Sequence, residues 1–401
     1  MIEALSIDFF QKNRNKLIAK LKKDGVVVIS GNGLVQRTGD TNYPFRQDSN
    51  FYYLTGIIEP SAYLVIDLRS NSSFVAMQIR EGIRSIFDGS QDVKKLLDIS
   101  GVDEILSIEE GWDRLKNLLH KRVYTLTPKD GDGEKGNVNY FVARTHSNLI
   151  NLPESEIIDI SREISELRVI KTQEEIKLIE RAVMITKNAL KEVELALSSF
   201  SNEKEIEALI TKQFLLDGAQ GHAYQPIIAS GLASCTLHYI DNNKPLVKDG
   251  SLLIDVGAEV LNYAADISRT LIIGKIDEQQ KIILDGVKKI QKDLIAELKP
   301  GMYFSQLSEL AYDMTERLLV YVGLISKIHS KADVYRYFPH AVSHFLGLDV
   351  HDVGDYSAQL AENMVITIEP GIYWHEKSFG VRIEDDVLIT KNGARILGNN
   401  V

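Results

Sequence analysis

Four acidic residues of this chain are embedded in or beside apolar, strand-like runs, where an unpaired charge is very costly. Asp255 ends the run 251–254, Asp266 lies within NYAADISRT, Glu369 closes MVITIE, and Glu384 follows GVRI. Any fold that buries those runs must bring the acids to cations. Arg269 and Arg382 are the nearby cations. Two arginines cannot neutralise four acids, whereas two divalent ions can.

The spacings say how the acids could meet. Asp255 and Asp266 are eleven positions apart, and eleven is odd. One strand therefore cannot put both on one face. A hairpin turning near Val260–Leu261 would set them opposite each other. Arg382 and Glu384 are two apart and share a face, so Asp385 should point the other way, to the surface. His340 and His344 stand four apart in HAVSHFLGLDVHDVG, with His351 seven further on. Four carboxylates and one imidazole make a hard, oxygen-rich donor set. It suits Mn²⁺, or Fe²⁺ or Co²⁺, better than thiolate-type zinc, with Zn²⁺ as an alternative. Two such ions about 3.5–4 Å apart can hold a bridging hydroxide and stabilise an oxyanion.

The pattern along the chain predicts two domains, 1–168 and 169–401. In the first, apolar runs alternate with helical patterns. GVVVIS (25–30), AYLVIDL (62–68) and RVYTLTP read as strands, and DVKKLLDIS and GWDRLKNLLHK as helices. That alternation predicts an α/β domain. The stretch RTGDTNYPFRQDSNFYYLTG (37–56) is too polar for core and too aromatic for a plain loop. Beyond residues 169–171, Thr172 and Glu175 form a capping box that opens a long amphipathic helix. A second helix is expected over 203–216, and two more over 277–298 and 305–322. PIIAS, SLLIDVGAEV, NYAADISRTLIIG, MVITIEPGIYW and FGVRIEDDVLIT read as strands. Strands in sequential pairs with helices between them predict an α+β domain with a largely antiparallel sheet.

Composition narrows the partners. The formal net charge is −10, which argues against nucleic acid and anionic membrane. No run approaches the ~20 apolar residues of a membrane span. The first 25 residues read as an amphipathic helix ending near Gly25 and lack the apolar core of a signal peptide. Cys235 is the single cysteine, so no intrachain disulfide forms. A cytoplasmic location is expected.

At these residues the sequence resembles the aminopeptidase P and prolidase group of pita-bread metallopeptidases. LHYIDN (237–242), IDVGAEVLNYAADISRT (254–270), HAVSHFLGLDVHDVG (340–354), TIEPGIY (367–373) and GVRIEDDVLIT (380–390) carry the likeness. YPFRQDSNFYYLTGIIEP (43–60) extends it into the first half. Tyr52 stands where some bacterial relatives have tryptophan, and REGIRSIFDGSQ (80–91) is unfamiliar.

The resemblance implies a curved, largely antiparallel pita-bread catalytic domain and hydrolysis of peptides with proline at the second position. It implies Asp255, Asp266, His344, Glu369 and Glu384 as ligands of two metals, with Asp266 and Glu384 bridging. Glu369 would also shuttle a proton to the leaving nitrogen, and His351 would bond the scissile carbonyl. His340 and His238 would line the substrate pocket, with structural hydrogen bonding as the other reading of both. Arg382 would order Glu384 or the proline side. Dimers or tetramers are implied, and Tyr52 and Tyr53 would pack in the core or between subunits. The bond before proline is a tertiary amide without an N–H, so metal-centred attack loses nothing there. The leaving nitrogen still needs a proton donor.

Three alternatives stay open. An Xaa-Pro dipeptidase shares the metal site and differs in refusing a chain beyond proline. Methionine aminopeptidase needs no leader of ~165 residues. A metal-free pita-bread binding module would lack ligands, and here all five are present.

Overall fold

The computed structural model describes residues 4–118, 122–128, 138–152 and 155–398. The chain divides between Arg168 and Val169 into two compact units.

The N-terminal unit is built on a six-stranded mixed sheet. Its order is Glu104–Ser107, Ser72–Met77, Tyr63–Asp67, Gly25–Ser30, Arg122–Thr125 and Glu156–Asp159. Gly25–Ser30 pairs antiparallel with Tyr63–Asp67 and parallel with Arg122–Thr125. Its central residues are buried, as expected for a strand covered on both faces. Leu115 and Leu149, on two flanking helices, pack onto Val26, Val28, Val65 and Phe74. The helix read over 111–121 runs Ile108–Asn117; 119–121 lie outside the described residues. The first helix is Ile7–Lys20, shorter than expected, and 1–3 are likewise outside.

The second half of the aromatic stretch resolves into core, while 37–44 stay exposed. Asp48 caps the helix Ser49–Thr55 by accepting from the backbone N–H groups of Asn50 and Phe51. Phe51, Tyr52 and Tyr53 are buried. Tyr53 meets Phe9 edge-on at 5.8 Å between ring centroids, and Tyr52 meets Phe10 at 6.1 Å.

The C-terminal unit opens on the helix Gln173–Ala196, started by the Thr172–Glu175 capping box. Every strand pairing among its described residues is antiparallel. Gly250–Val256 lies between Ile227–Ser230 and Ile267–Ile273. Asp385–Thr390 lies between Val365–Ile368 and Gly393–Ile396, and Gly371–Trp374 pairs with Phe379–Arg382. The helices Glu278–Glu297 and Phe304–Val322 cover the sheets. Leu294 and Leu307 pack on Ile366, Ile368 and Val387, while Ile283, Val287 and Leu319 pack on Ile372, Phe379 and Val381. Each fully buried aliphatic side chain contributes about 2 kcal/mol. That apolar face fixes the strands and leaves their other face for chemistry.

The hairpin carrying the first two acids turns one position later than expected, which shifts its register by two. Its turn is Leu261–Asn262, with φ of 48° and 66°, between the paired residues Val260 and Tyr263. The register sets Ser268, not Asp266, opposite Asp255. Asparagine tolerates the left-handed conformation that such a turn demands. Gln220 secures it by accepting from the Asn262 N–H at 2.8 Å. Between the two acids the strands cross so closely that a Cβ on Gly257 would lie 1.7 Å from the Ala265 carbonyl oxygen.

Candidate metal centre

Local pairing places each of the five ligand candidates. Asp255 leaves the middle strand of its sheet, and Asp266 starts the return strand just before Ile267. The segment 342–346 runs beside Val365–Ile368. Thr367 N–H donates to the His344 carbonyl and Glu369 N–H to the Val342 carbonyl, both at 2.9 Å. This pairing sets His344 beside Glu369. Glu384 N–H donates to the Ser268 carbonyl at 3.0 Å, which draws the last acid over the first hairpin.

The five side chains converge. Asp266, His344 and Glu384 each offer a ligand atom, and these atoms lie within 4.8 Å of one another. His344 Nε2 is 3.4 Å from Asp266 Oδ2 and 3.5 Å from Glu369 Oε1. His344 Nδ1 faces the Phe345 carbonyl at 3.0 Å. Donation there leaves Nε2 for the centre. The Tyr224 hydroxyl joins Asp255 Oδ1 at 2.5 Å to Asp266 Oδ1 at 2.6 Å. Ser268 donates its hydroxyl to Glu384 Oε2 at 2.8 Å.

Arg382 is buried and donates from all three of its guanidinium nitrogens. Its guanidinium donates to Asp255, to the Ser268 hydroxyl at 2.8 Å and to the Tyr373 hydroxyl at 2.8 Å. It therefore orders Asp255 directly and Glu384 only through Ser268. Tyr373 passes the network to His340 Nε2 at 2.9 Å, and His340 Nδ1 lies 3.6 Å from Glu369 Oε2. Burial and the Arg382 charge push His340 down to about 4, so it is neutral. His351 is exposed and sets its ring edge-on to His344, 4.4 Å between centroids. His238 lies on the loop before Gly250–Val256 and adds to the lowering of His340.

Electrostatics decide what the cluster can hold. Burial raises Asp255 from its ordinary value against the pull of Arg382, and Asp266 adds to the rise. Burial pushes Glu369 up to about 7. Burial, then Asp266 and Glu369, drive Glu384 well above its ordinary value. His344, despite burial, is raised to about 9 by Asp266 and Glu369. One imidazolium and one guanidinium thus face four crowded carboxylates. That excess of buried oxygen donors, with an imidazole nitrogen aimed among them, fits divalent cations.

Asp385 corrects the sequence reading. It is buried, not at the surface, accepting from Arg269 at 2.6 Å and Gln291 at 2.8 Å. It does face away from Glu384, but a helix covers that side of the strand. Arg269 is consumed there, and its other amino group holds the Glu384 carbonyl at 2.6 Å. Sequence reasoning also missed Tyr224, Tyr373, Ser268 and Asp386. Asp386 is buried and accepts from the Asp266 N–H at 3.0 Å. Only Asp386 carried a signal, a third acid in the run EDD.

An antiparallel unit that turns its acids inward on one imidazole, preceded by a mixed-sheet α/β unit, is the build of a pita-bread metallopeptidase. The sequence model of Metallopeptidase family M24 matches residues 177–391, and that of the aminopeptidase P N-terminal domain matches 10–126. The chain belongs to family M24, in its aminopeptidase P group. It is 33% identical to the Xaa-Pro aminopeptidase of Haemophilus influenzae, over 97% of this chain and 93% of that one. It is 31% identical to human Xaa-Pro aminopeptidase 3, over 96% of this chain and 82% of that one. Aminopeptidase P from E. coli, solved in a low-pH form, superposes with a TM-score of 0.88 at 29% identity, covering 99% of this chain and 96% of that chain. Among the described residues no helix is long and apolar enough to cross a membrane.

Proposed function

We propose that the chain is a two-metal aminopeptidase that removes the N-terminal residue preceding proline. The observation that carries this reading is the convergence of Asp255, Asp266, His344, Glu369 and Glu384 on one centre. Donor atoms of Asp266, His344 and Glu384 crowd within 4.8 Å of one another there, and the acids are left short of positive charge. Asp255, Asp266 and Glu384 would hold one ion, and Asp266, His344, Glu369 and Glu384 the other. The oxygen-rich set favours Mn²⁺. Bound there, two divalent ions polarise the scissile carbonyl and acidify the attacking water.

The remaining chemistry belongs to side chains. Glu369 accepts the proton of the attacking water and returns it to the proline nitrogen, which leaves as an amine and must be protonated. Thr367 steadies it, donating its hydroxyl to Glu369 Oε1 at 3.3 Å. His351, exposed beside His344, donates to the carbonyl oxygen as negative charge develops there. His340, held neutral beside Tyr373, and His238 border the peptide. The match of the aminopeptidase P N-terminal domain supports a substrate longer than a dipeptide.

Rates on Xaa-Pro, Xaa-Pro-Yaa and Met-Ala-Yaa peptides, measured beside the metal content of the active protein, test the reading. Cleavage of Xaa-Pro-Yaa at least as fast as Xaa-Pro, with about two equivalents of metal as two-ion chemistry requires, is expected. Turnover of the dipeptide alone makes the enzyme an Xaa-Pro dipeptidase. No turnover with a metal-free native protein makes it a binding module.

A further inference from the structure

His351 presents a problem of aim. It is exposed and meets His344 edge-on, so where its ring points depends on the backbone that carries it. The residue after it goes the other way. Asp352 is buried and accepts from the Lys171 ammonium at 2.9 Å, and both side chains are 1% exposed. Lys171 lies 181 residues away in sequence, just before the capping box of the helix Gln173–Ala196.

The loop between the two histidines closes around this pair. Asp352 N–H donates to the Phe345 carbonyl at 2.9 Å, next to His344. Gly347 N–H donates to the Asp349 carbonyl, and the Gly347 carbonyl accepts from Ala264 N–H. A Cβ on Gly347 would lie 2.2 Å from Asp352 Oδ2 and 3.0 Å from Lys171 Cε, so the loop backbone sits directly on the ion pair. Lys171 is itself held, its N–H donating to the Asn363 carbonyl at 2.9 Å. Its charge also reaches the buried Glu175.

The energetics say what such a pair is for. A buried ion pair gives little or no net stability over apolar residues of the same volume, because both ions lose water. What it does supply is a fixed geometry, since separating the two charges costs each a buried counter-ion at 2.9 Å. We propose that Lys171 is a positioning residue: through Asp352 it fixes the backbone at residue 352 and so aims His351 across the metal centre. This rests on the catalytic reading of His351 given above.

The test is a double-mutant cycle on the metal-loaded enzyme with an Xaa-Pro-Yaa substrate. Lys171→Met is combined with His351→Ala, and metal content and thermal midpoint are recorded for each protein. Misplacement of a catalytic group by about 1 Å costs on the order of 100-fold, so Lys171→Met is expected to lower kcat by about that factor with KM little changed. In the His351→Ala background the same substitution should cost no more than about twofold, the scatter of independent sites. A merely structural lysine would cost the same in both backgrounds, and that result overturns the proposal. Should Lys171→Met not fold, Lys171→Met/Asp352→Asn leaves no stranded charge and carries the same comparison. If neither folds, the pair is a stability element and the proposal fails. An unchanged kcat in His351→Ala alone would instead remove the reading of His351, and the positioning role with it.

Discussion

The crowding of acids at the centre makes an unusual demand on the metal-free protein, and Glu369→Gln isolates it. Glu369 is pushed up to about 7 from an ordinary 4.5, first by burial, with His344 pulling it down and Asp266 raising it. Ionising it inside the fold is therefore costly. Below pH 4.5 the group is protonated whether the chain is folded or not, and nothing is lost. Between pH 4.5 and about 7 the unfolded chain has given up this proton while the folded state still holds it, so stability falls across that window and levels off above it. At about 1.4 kcal/mol per tenfold change in proton affinity, the loss above about pH 8 is on the order of 3 kcal/mol. The side chain is only 15% exposed, so solvent screening reduces that figure little.

Glutamine has the same shape and no charge to suffer. Without metal, Glu369→Gln is expected to be more stable than its parent by on the order of 3 kcal/mol at about pH 8.5, shrinking below about 1 kcal/mol at about pH 5. Urea unfolding in excess chelator measures this. Trp374 is a buried reporter in the C-terminal unit, and Trp112→Phe removes the only other tryptophan. With Mn²⁺ present the order should reverse, because the parent gains metal-binding energy that the variant has lost. A variant no more stable than its parent at the higher pH, or a gain unchanged at the lower, would refute the argument that these acids are short of positive charge.

The same charge balance predicts that metal uptake near neutral pH releases protons, because His344 sits near 9 and Glu384 well above its ordinary value in the metal-free protein. Calorimetry of Mn²⁺ binding in buffers of different ionisation enthalpy reads the number directly, and zero release counts against it. Tyr224→Phe removes the hydroxyl that joins Asp255 to Asp266. Loss of such a supporting contact typically costs about 10- to 100-fold in metal affinity, which competition against a fluorescent chelator would measure. Gly257→Ala must part the two strands that carry these acids, since the new Cβ would lie 1.7 Å from the Ala265 carbonyl oxygen. It is expected to cost more than about 4 kcal/mol, at the extreme of single substitutions, and a midpoint within a few degrees of the parent would show that the hairpin can yield.

How much of this could be read beforehand depends on whether a residue's burden is local. Asp255 and Glu369 announce themselves because each ends its own apolar run, where a charge is costly whatever the rest of the chain does. The Thr172–Glu175 capping box is equally local, and its helix starts where the spacing requires. The hairpin register is less so. Leu261 is a poor residue for a positive φ, and the turn holds there because Gln220, 42 positions from Asn262 in the chain, accepts its N–H. A change of two positions leaves every side chain on its own face, which is why the acids still meet although Ser268 takes the place expected of Asp266. Asp385 misleads for the complementary reason. Alternation correctly turns it away from Glu384, but alternation cannot say that a helix bearing Gln291 lies on that side. Tyr224 and Ser268 are ordinary residues until distant segments deliver carboxylates to them. A charge in an apolar run must be answered by something, but only the packed fold decides which hydroxyl, guanidinium or ion gives the answer.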